Sequence, residues 1–161
     1  MTANFNALKS IRIQKEVGDG FITLPEEKLK SELRRLGHRF PNKRAEFICE
    51  NRKLIKKVMD MLRVKDSAKI REWLVKNVKG YGYKEASHFM RNIGFKDVAI
   101  VDFHIKDLLS RYGLLPKGIK LNNQNYFKAE KILRRISEKA GLSLSELDLY
   151  LWFIETGRVL K

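Results

Sequence analysis

Lys84 is the residue whose type and position most favour covalent chemistry in this chain. It lies in the segment VKGYGYKEA, where a glycine-containing break precedes the first turn of a predicted helix. The positive end of the helix dipole disfavours a cation in that turn, and the neighbouring Lys76 and Lys79 add repulsion between like charges. An amine must lose its proton before it attacks carbon, so this placement suits Schiff-base formation. The alternative is a lysine that binds phosphate as a point charge.

Two glycines before this lysine predict a tight turn between two helices. Gly80 and Gly82 allow the backbone to turn sharply and to come close to a ligand. The N–H groups of Gly82 and of the following helical turn are then expected to point outward, unpaired, where they can bind phosphate without reading base sequence. An ordinary helix–helix connection also explains the glycines, and it is favoured on their pattern alone. The presence of Lys84 favours a functional hairpin over an ordinary helix–helix connection.

A carboxylate follows eighteen residues later, in the segment IVDFHI. Asp102 comes after an apolar run and opens a predicted helix, so a helix N-cap is sufficient to explain it. Beside a sugar, the same carboxylate could stabilise positive charge and assist proton transfer. His104 could act as a base, but a histidine on the face of a helix is the preferred interpretation.

The elements that position these residues are predicted to be helices only. The chain has three prolines and no long alternation of apolar and polar residues, which indicates an all-α protein. Capping patterns occur at Thr23 with Glu26, at Asp66, and at Ser143 with Glu146. The predicted helices cover residues 4–17, about 24–36, 41–62, 67 to about 78, 83–93, a stretch from 103, 126–140, and a last stretch from 144.

The apolar pattern and the loops predict two helical lobes. Helical spacing predicts that Ile55 and Met59 are buried in the third helix and Ile154 in the last. The stretch LLPKGIKLNNQN is the best loop, and it divides a lobe of residues 1–113, with a helix-hairpin-helix at about 66–93, from a lobe of residues 114–161. We expect a cleft between the lobes.

Charge and cysteine content restrict the class of protein. Of the 161 residues, 34 are Lys or Arg and 19 are Asp or Glu, which gives a net charge of +15. A polyanionic partner follows, with nucleic acid first and an anionic membrane surface second; a charge that only maintains solubility is the alternative. The single cysteine, Cys49, is expected in the core and excludes Cys-rich zinc or iron–sulfur sites. Because residues 1–15 lack an apolar leader segment, we expect a cytoplasmic protein.

The hairpin and the carboxylate together resemble the helix-hairpin-helix DNA glycosylase superfamily. VKGYGYKEA followed by IVDFH is similar to its signature of two hairpin glycines, a lysine, an alanine and a V-D-x-H run. Lys79 stands where many members have proline. GHRFPNKRAEFICENR and DLYLWFIETGRVLK resemble archaeal 8-oxoguanine DNA glycosylases of the second OGG type. The residues in register with the superfamily signature are Gly80, Gly82, Lys84, Ala86, Asp102 and His104.

This resemblance implies a bifunctional DNA glycosylase and AP lyase of base excision repair that excises 8-oxoguanine. Lys84 is then the nucleophile that attacks C1′ of a flipped nucleoside, and Asp102 supports the cationic sugar. Gly80, Gly82 and Tyr83 grip the DNA backbone, with a monovalent cation held by hairpin carbonyls. No other cofactor and no protein-bound metal are expected. The partner is double-stranded DNA containing a damaged base, bound by a monomer associated with the nucleoid.

The resemblance also assigns residues to base recognition, and each has a simpler explanation. Phe40 and Trp152 stack on the extruded purine, although Phe40 could be a hydrophobic staple and Trp152 could fill the lobe interface. The terminal Lys161 contacts the base, although a terminal residue is normally frayed. Asn4 fills the space left by the flipped base, or it caps a helix. The family begins with further helices before the segment that corresponds to the first residues of this sequence. Either the sequence is truncated, in which case part of the base pocket is expected to be absent, or this is a minimal member of the family.

Two other functions remain open from the sequence. One is a non-catalytic helix-hairpin-helix module that binds the DNA backbone. The other is a glycosylase of the same superfamily that excises another damaged base. Both alternatives share the hairpin, but only the lysine-dependent enzyme needs Lys84 as its nucleophile.

Overall fold

The computed structural model describes residues 5–157, and within that range every regular element is a helix. The predicted all-α class is confirmed. Ten helices are described, in the order α1 (Ala7–Val17), α2 (Gly20–Thr23), α3 (Glu26–Arg35), α4 (Pro41–Arg52), α5 (Ile55–Leu62), α6 (Ser67–Asn77), α7 (Tyr83–Asn92), α8 (Phe103–Arg111), α9 (Asn123–Ala140) and α10 (Leu144–Thr156).

Helices α1 to α5 belong to a first compact unit, which comprises residues 5–64 together with residues 77–80. Its buried core lies where α1, α3 and α4 meet and contains Ile13, Leu29, Leu33 and Ala45. Cys49 is partly buried and packs against this core, as expected for a cysteine that behaves as a small apolar residue.

Residues 65–76 and 81–157 form the second compact unit. Its core lies between helices α8, α9 and α10 and the segment 99–101, and it includes Val101, Leu133 and Leu147. The unit continues through residues 113 and 114, where a lobe boundary is predicted from the sequence; that boundary stays a prediction. Helix α7, which follows the two hairpin glycines, belongs to this unit.

The N-terminal region differs from the predicted helices in two places. Helix α1 is capped by the side chain of Asn6, later than predicted, and the four-residue helix α2 was not predicted. The predicted capping pair of Thr23 and Glu26 is wrong. Thr23 lies at the end of α2, where its hydroxyl donates to the carbonyl of Asp19 at 3.0 Å, and α3 starts after Pro25 without a side-chain cap.

The predicted long third helix is broken at residues 53–54 into α4 and α5. Two side chains at the end of α4 bind backbone groups far away in sequence. Asn51 accepts from the N–H of Lys79 at 2.9 Å and donates to its carbonyl at 3.0 Å. The Arg52 guanidinium donates, at 2.6–3.1 Å, to the carbonyls of Gly20, Phe21 and Leu24.

Part of the predicted apolar pattern is also wrong. Ile55 and Met59 of α5 are 49% and 56% exposed, and Ile154 of α10 is 65% exposed. The helical spacing of these residues is real, but no buried core within residues 5–157 covers that face. No helix in the same range has the length and apolarity needed to cross a membrane.

The local capping signals are confirmed at three other helix starts. Asp66 accepts from a backbone N–H at the start of α6, and Asp102 does the same for α8. Ser143 and Glu146 form a reciprocal capping box at the start of α10. Helix α9 starts three residues earlier than predicted, because Asn122 caps it.

Candidate active site

Lys84 and Asp102 line the same cavity, within the second unit. The cavity has a volume of about 270 Å³. Its wall comes from three helix starts, at residues 82–85, 101–103 and 121–123, and from Tyr126. Lys84 is partly exposed, whereas Asp102 is 8% exposed. The structure therefore places an amine and a carboxylate, eighteen residues apart in sequence, at one site.

The three helices that begin at this cavity are α7, α8 and α9, and each begins with a different cap. Gly82 precedes α7, the Asp102 carboxylate caps α8 through Oδ1 at 3.1 Å, and the Asn122 side chain caps α9 at 2.9 Å. The positive ends of three helix dipoles therefore surround the cavity, and they favour negative charge there.

Gly82 is held differently from the prediction. Its N–H is not unpaired: it donates to Oε2 of Glu85 at 3.1 Å. Its backbone lies in the extended region, at φ −105° and ψ −172°, which any residue can adopt. The N–H groups of Tyr83 and Lys84 belong to the first turn of α7 and have no acceptor within that helix. The first turn of α7, rather than the N–H of Gly82, therefore offers the candidate donors of the hairpin.

Gly80 is a position that requires glycine, and it belongs to the first unit. Its φ is +80°, and a Cβ built there would lie 2.6 Å from a ring carbon of Phe47. The preceding Lys79 pairs with Glu50 at 2.7 Å, and this hydrogen bond raises the pKa of Lys79. The turn is thus fixed by Gly80, whose backbone is in the left-handed region and packs against the ring of Phe47, and by the hydrogen bonds between Asn51 and Lys79.

Aromatic side chains continue from the cavity wall in the second unit. Phe103 lines the cavity, is 60% exposed, and lies 3.9 Å from His104 between ring centroids. His104 meets the partly buried Trp152 edge to face, at 5.2 Å. His104 is therefore packed between two aromatic rings. Phe40, in the first unit, is exposed and carries the guanidinium of Arg39 over its ring at 5.0 Å.

Two predicted site residues lie outside the part that the structure describes. These are Asn4 and Lys161, and their assigned roles stay predictions. The roles of Phe40 and Trp152 and the cation at the hairpin stay predictions as well. Across residues 5–157, no three His, Cys, Asp or Glu side chains are grouped as they would be to bind a metal ion.

The sequence does not predict most of the wall that faces Lys84. Its pattern assigns no role to Phe103 and predicts a loop at residues 121–123 and a helix start at Tyr126. These residues line the cavity. The pair Asn122-Asn123 carries the one usable signal, because asparagine before a helix is a common N-cap.

Two buried ion pairs join helices of the second unit, α6 to α9 and α7 to α10. Arg71 binds Glu130 through two hydrogen bonds of 2.6 and 2.8 Å. Burial lowers the pKa of Arg71, but the bonds to Glu130 outweigh that effect and raise it. Arg91 binds Asp148 at 2.5 Å, and burial raises the pKa of Asp148 to about 6 despite this partner.

The chain matches the 8-oxoguanine DNA glycosylase family over residues 1–142. It is 57% identical, over 163 residues, to a protein of Korarchaeum cryptofilum named 8-oxoguanine DNA glycosylase/AP lyase, a match that covers 100% of this chain and 78% of that protein. A protein of the same name from Methanocaldococcus jannaschii is 52% identical with the same coverage.

Solved structures agree with this match. The crystal structure of the Methanocaldococcus jannaschii 8-oxoguanine glycosylase/lyase, in complex with a 15mer DNA containing 8-oxoguanine, has a TM-score of 0.93 and 50% identity, covering 99% of this chain and 78% of that one. The 8-oxoguanine DNA glycosylase of Thermotoga maritima has a TM-score of 0.90 and 49% identity, covering 99% and 77%. The chain therefore belongs to the 8-oxoguanine DNA glycosylase family.

Proposed function

We propose that this protein is a bifunctional enzyme that excises 8-oxoguanine from double-stranded DNA and then cleaves the strand as an AP lyase. Membership of the 8-oxoguanine DNA glycosylase family supports the substrate and the activity. The observation that carries the mechanism is that Lys84 and Asp102 line one cavity. This activity belongs to base excision repair.

Lys84 is the nucleophile in this proposal. Its neutral amine forms the Nζ–C1′ bond while the glycosidic bond breaks, and the electron pair of that bond leaves with the purine, which takes up a proton. Loss of a proton from Nζ and opening of the sugar ring then give a Schiff base. Removal of a C2′ proton expels the 3′ phosphate and cleaves the strand.

Asp102 stabilises the sugar when its ring becomes cationic and assists the proton transfers. The cap hydrogen bond engages Oδ1, so the second oxygen, Oδ2, is not used by the cap. A carboxylate anchored through one oxygen holds the other in a fixed direction. This makes Asp102 suitable for both of the roles considered from the sequence.

The DNA backbone is bound by the hairpin and by the positive charge of the protein. The N–H groups of Tyr83 and Lys84 supply donors for phosphate, Gly80 shapes the turn, and Gly82 keeps the approach free of a side chain. We propose that hairpin carbonyls hold a monovalent cation there. With a net charge of +15, log K for DNA should fall by roughly 0.9 for each phosphate neutralised, per unit of log salt concentration. The proposed location is the nucleoid, in the cytoplasm.

Base recognition is proposed from the family resemblance alone. Trp152 and Phe40 are the candidates for stacking on the purine, Lys161 for contacting its edge, and Asn4 for filling the space left in the duplex. Flipped bases are generally held between flat apolar faces. Replacing Trp152 or Phe40 by alanine should raise KM for an 8-oxoguanine duplex more than for a duplex with a preformed abasic site.

Borohydride trapping on an 8-oxoguanine duplex tests this function. The wild-type protein should form a covalent adduct, Lys84→Gln should form none, and Lys57→Gln, at an exposed lysine of α5, should react as wild type. Duplexes containing hypoxanthine or 3-methyladenine complete the panel. DNA binding without trapping on any duplex would identify a non-catalytic module, and trapping only on the other lesions would identify another substrate.

A further inference from the structure

The segment from Ala99 to Val101 leads directly to Asp102 and is held by side chains instead of a neighbouring strand. The N–H of Ala99 donates to Oε1 of Glu130 at 3.3 Å, and its carbonyl accepts from the hydroxyl of Tyr126 at 2.8 Å. The N–H of Val101 donates to the same hydroxyl at 3.4 Å. All these groups are buried, so few other partners can replace them.

The same hydroxyl also binds helix α7, which carries Lys84. The Tyr126 oxygen lies 3.1 Å from the hydroxyl of Ser87 and 3.4 Å from the carbonyl of Tyr83. A tyrosine hydroxyl has one proton, and the shortest bond to a pure acceptor assigns that proton to Ala99. Ser87 then donates to Tyr126 and accepts from Arg71 at 3.2 Å.

These bonds form a closed, buried ring. Arg71 donates to Ser87, Ser87 to Tyr126, and Tyr126 to the carbonyl of Ala99, while Glu130 accepts from both the N–H of Ala99 and Arg71. Networks in which every member is satisfied restrict the relative position of the elements that they join. This ring joins α6, α7 and α9 to the segment that precedes Asp102.

The ring touches both sides of the candidate active site. Ser87 lies three residues after Lys84, about one helical turn, and Ala99 lies three residues before Asp102. We propose that Tyr126 is a positioning residue whose hydroxyl sets the separation between the Lys84 amine and the Asp102 carboxylate. This inference rests on the proposed glycosylase and lyase function.

The chemistry of Tyr126 favours a positioning role over proton transfer. Its side chain is 5% exposed, and burial raises its pKa to about 12. The hydroxyl therefore keeps its proton throughout the pH range of an excision assay, and that proton is already bound to Ala99. Removal of the hydroxyl should lower the rate by the same factor at every pH.

Tyr126→Phe tests the inference, with Tyr112→Phe as the matched control. Tyr112 lies in the same unit and is 73% exposed, so loss of its hydroxyl should change nothing. Single-turnover excision, Kd for the 8-oxoguanine duplex and the pH profile are measured well below the unfolding midpoint of each protein. We expect Tyr126→Phe to bind DNA within threefold of wild type and to react at least tenfold more slowly, because displacing a reacting group by about 1 Å can cost 10²-fold in rate.

The outcomes separate this inference from the proposed function. A Tyr126→Phe rate equal to that of Tyr112→Phe, in an assay where wild type reacts, overturns the positioning role alone. The same role is overturned if the rate falls only in step with Kd, or if one limb of the pH profile disappears. An inert wild type overturns both proposals. If Tyr126→Phe does not fold, Ser87→Ala replaces it: a slower reaction with unchanged Kd supports the role, and a wild-type rate overturns it.

Discussion

Asp102→Asn should remove most of the excision activity and leave the fold as stable as before. The cap bond runs from the N–H of Ile105 to Oδ1 at 3.1 Å, and an asparagine side chain has an oxygen in the same place. Asparagine and aspartate are about equally good N-caps. We therefore expect the free energy of unfolding to change by less than about 0.5 kcal/mol.

The loss of activity follows from the loss of the negative charge. General acid–base groups typically contribute 10²–10⁴-fold to a rate, so single-turnover excision by Asp102→Asn should fall by about that factor. At about 1.36 kcal/mol for each tenfold change, this corresponds to roughly 3–5 kcal/mol of lost transition-state stabilisation. The effect on the rate is thus several times larger than the effect on stability.

Asp102→Ala is the companion variant, because it removes both the charge and the cap. Its stability should fall by about 1 kcal/mol. Ser143→Ala, which removes the cap of α10 in the same unit, should show the same loss of stability with full activity. Urea unfolding can be followed by tryptophan fluorescence, since Trp73 and Trp152 both lie in the second unit.

Two results would contradict this reasoning. If Asp102→Asn is as unstable as Asp102→Ala, the cap does not act through Oδ1 as the structure indicates. If Asp102→Asn excises 8-oxoguanine at the wild-type rate while Lys84→Gln is inert, the carboxylate is a helix cap and nothing more. The second result would leave Lys84 as a nucleophile without a carboxylate partner.

Three further predictions concern the supporting residues. Glu130→Gln should lower stability by about 3–5 kcal/mol, because it leaves a buried guanidinium unpaired; an effect below 1 kcal/mol in urea unfolding would contradict this. Gly80→Ala should lower the melting temperature through its positive φ and the ring beside it, whereas Gly82→Ala should fold normally. Because burial raises the pKa of Asp148 to about 6, the native state retains a proton that the unfolded chain releases. The stability of wild type relative to Asp148→Asn should therefore fall as the pH rises from 3.8 to about 6, measured by unfolding at several pH values.

The features that the sequence predicted correctly are local ones. The caps at Asp66, Asp102 and Ser143 depend on residues within one helical turn, and the glycine break before α7 depends on adjacent residues. The shared cavity of Lys84 and Asp102 came from the resemblance, since spacing alone leaves a cap and a phosphate-binding lysine as alternatives. Local sequence signals thus predicted the helix starts, and the family resemblance predicted that Lys84 and Asp102 share one site.

The features that the sequence did not predict depend on distant partners. The third helix is interrupted where Asn51 and Arg52 bind backbone groups 28–32 residues away. Helical periodicity cannot reveal such an interruption, because the apolar spacing continues through it. The same periodicity predicted burial for Ile55 and Ile154, although their spacing says only which face they share.

The cavity wall was missed for a similar reason. Tyr126 is an ordinary aromatic residue of a helix until its hydroxyl is seen against Ala99, which is 27 residues away in sequence. Glu130 has the spacing of a surface residue, and only its bond to Arg71, across 59 residues, explains why a carboxylate is buried. Neither position carries a local signal that separates it from a core or surface residue.

The buried ring of hydrogen bonds is better explained by its effect on the position of the site residues than by a contribution to the stability of the fold. A buried ion pair such as Arg71–Glu130 commonly contributes less to stability than apolar residues of the same volume, because both charges lose their hydration. Apolar side chains in place of this ion pair would still bury the segment 99–101. They would, however, leave the N–H and carbonyl groups of that segment without hydrogen-bond partners and would not orient the segment. Hydrogen bonds to Ala99 and Ser87 fix both distance and direction. The residues that are costly to bury are therefore those that connect the helix of Lys84 to the backbone before Asp102.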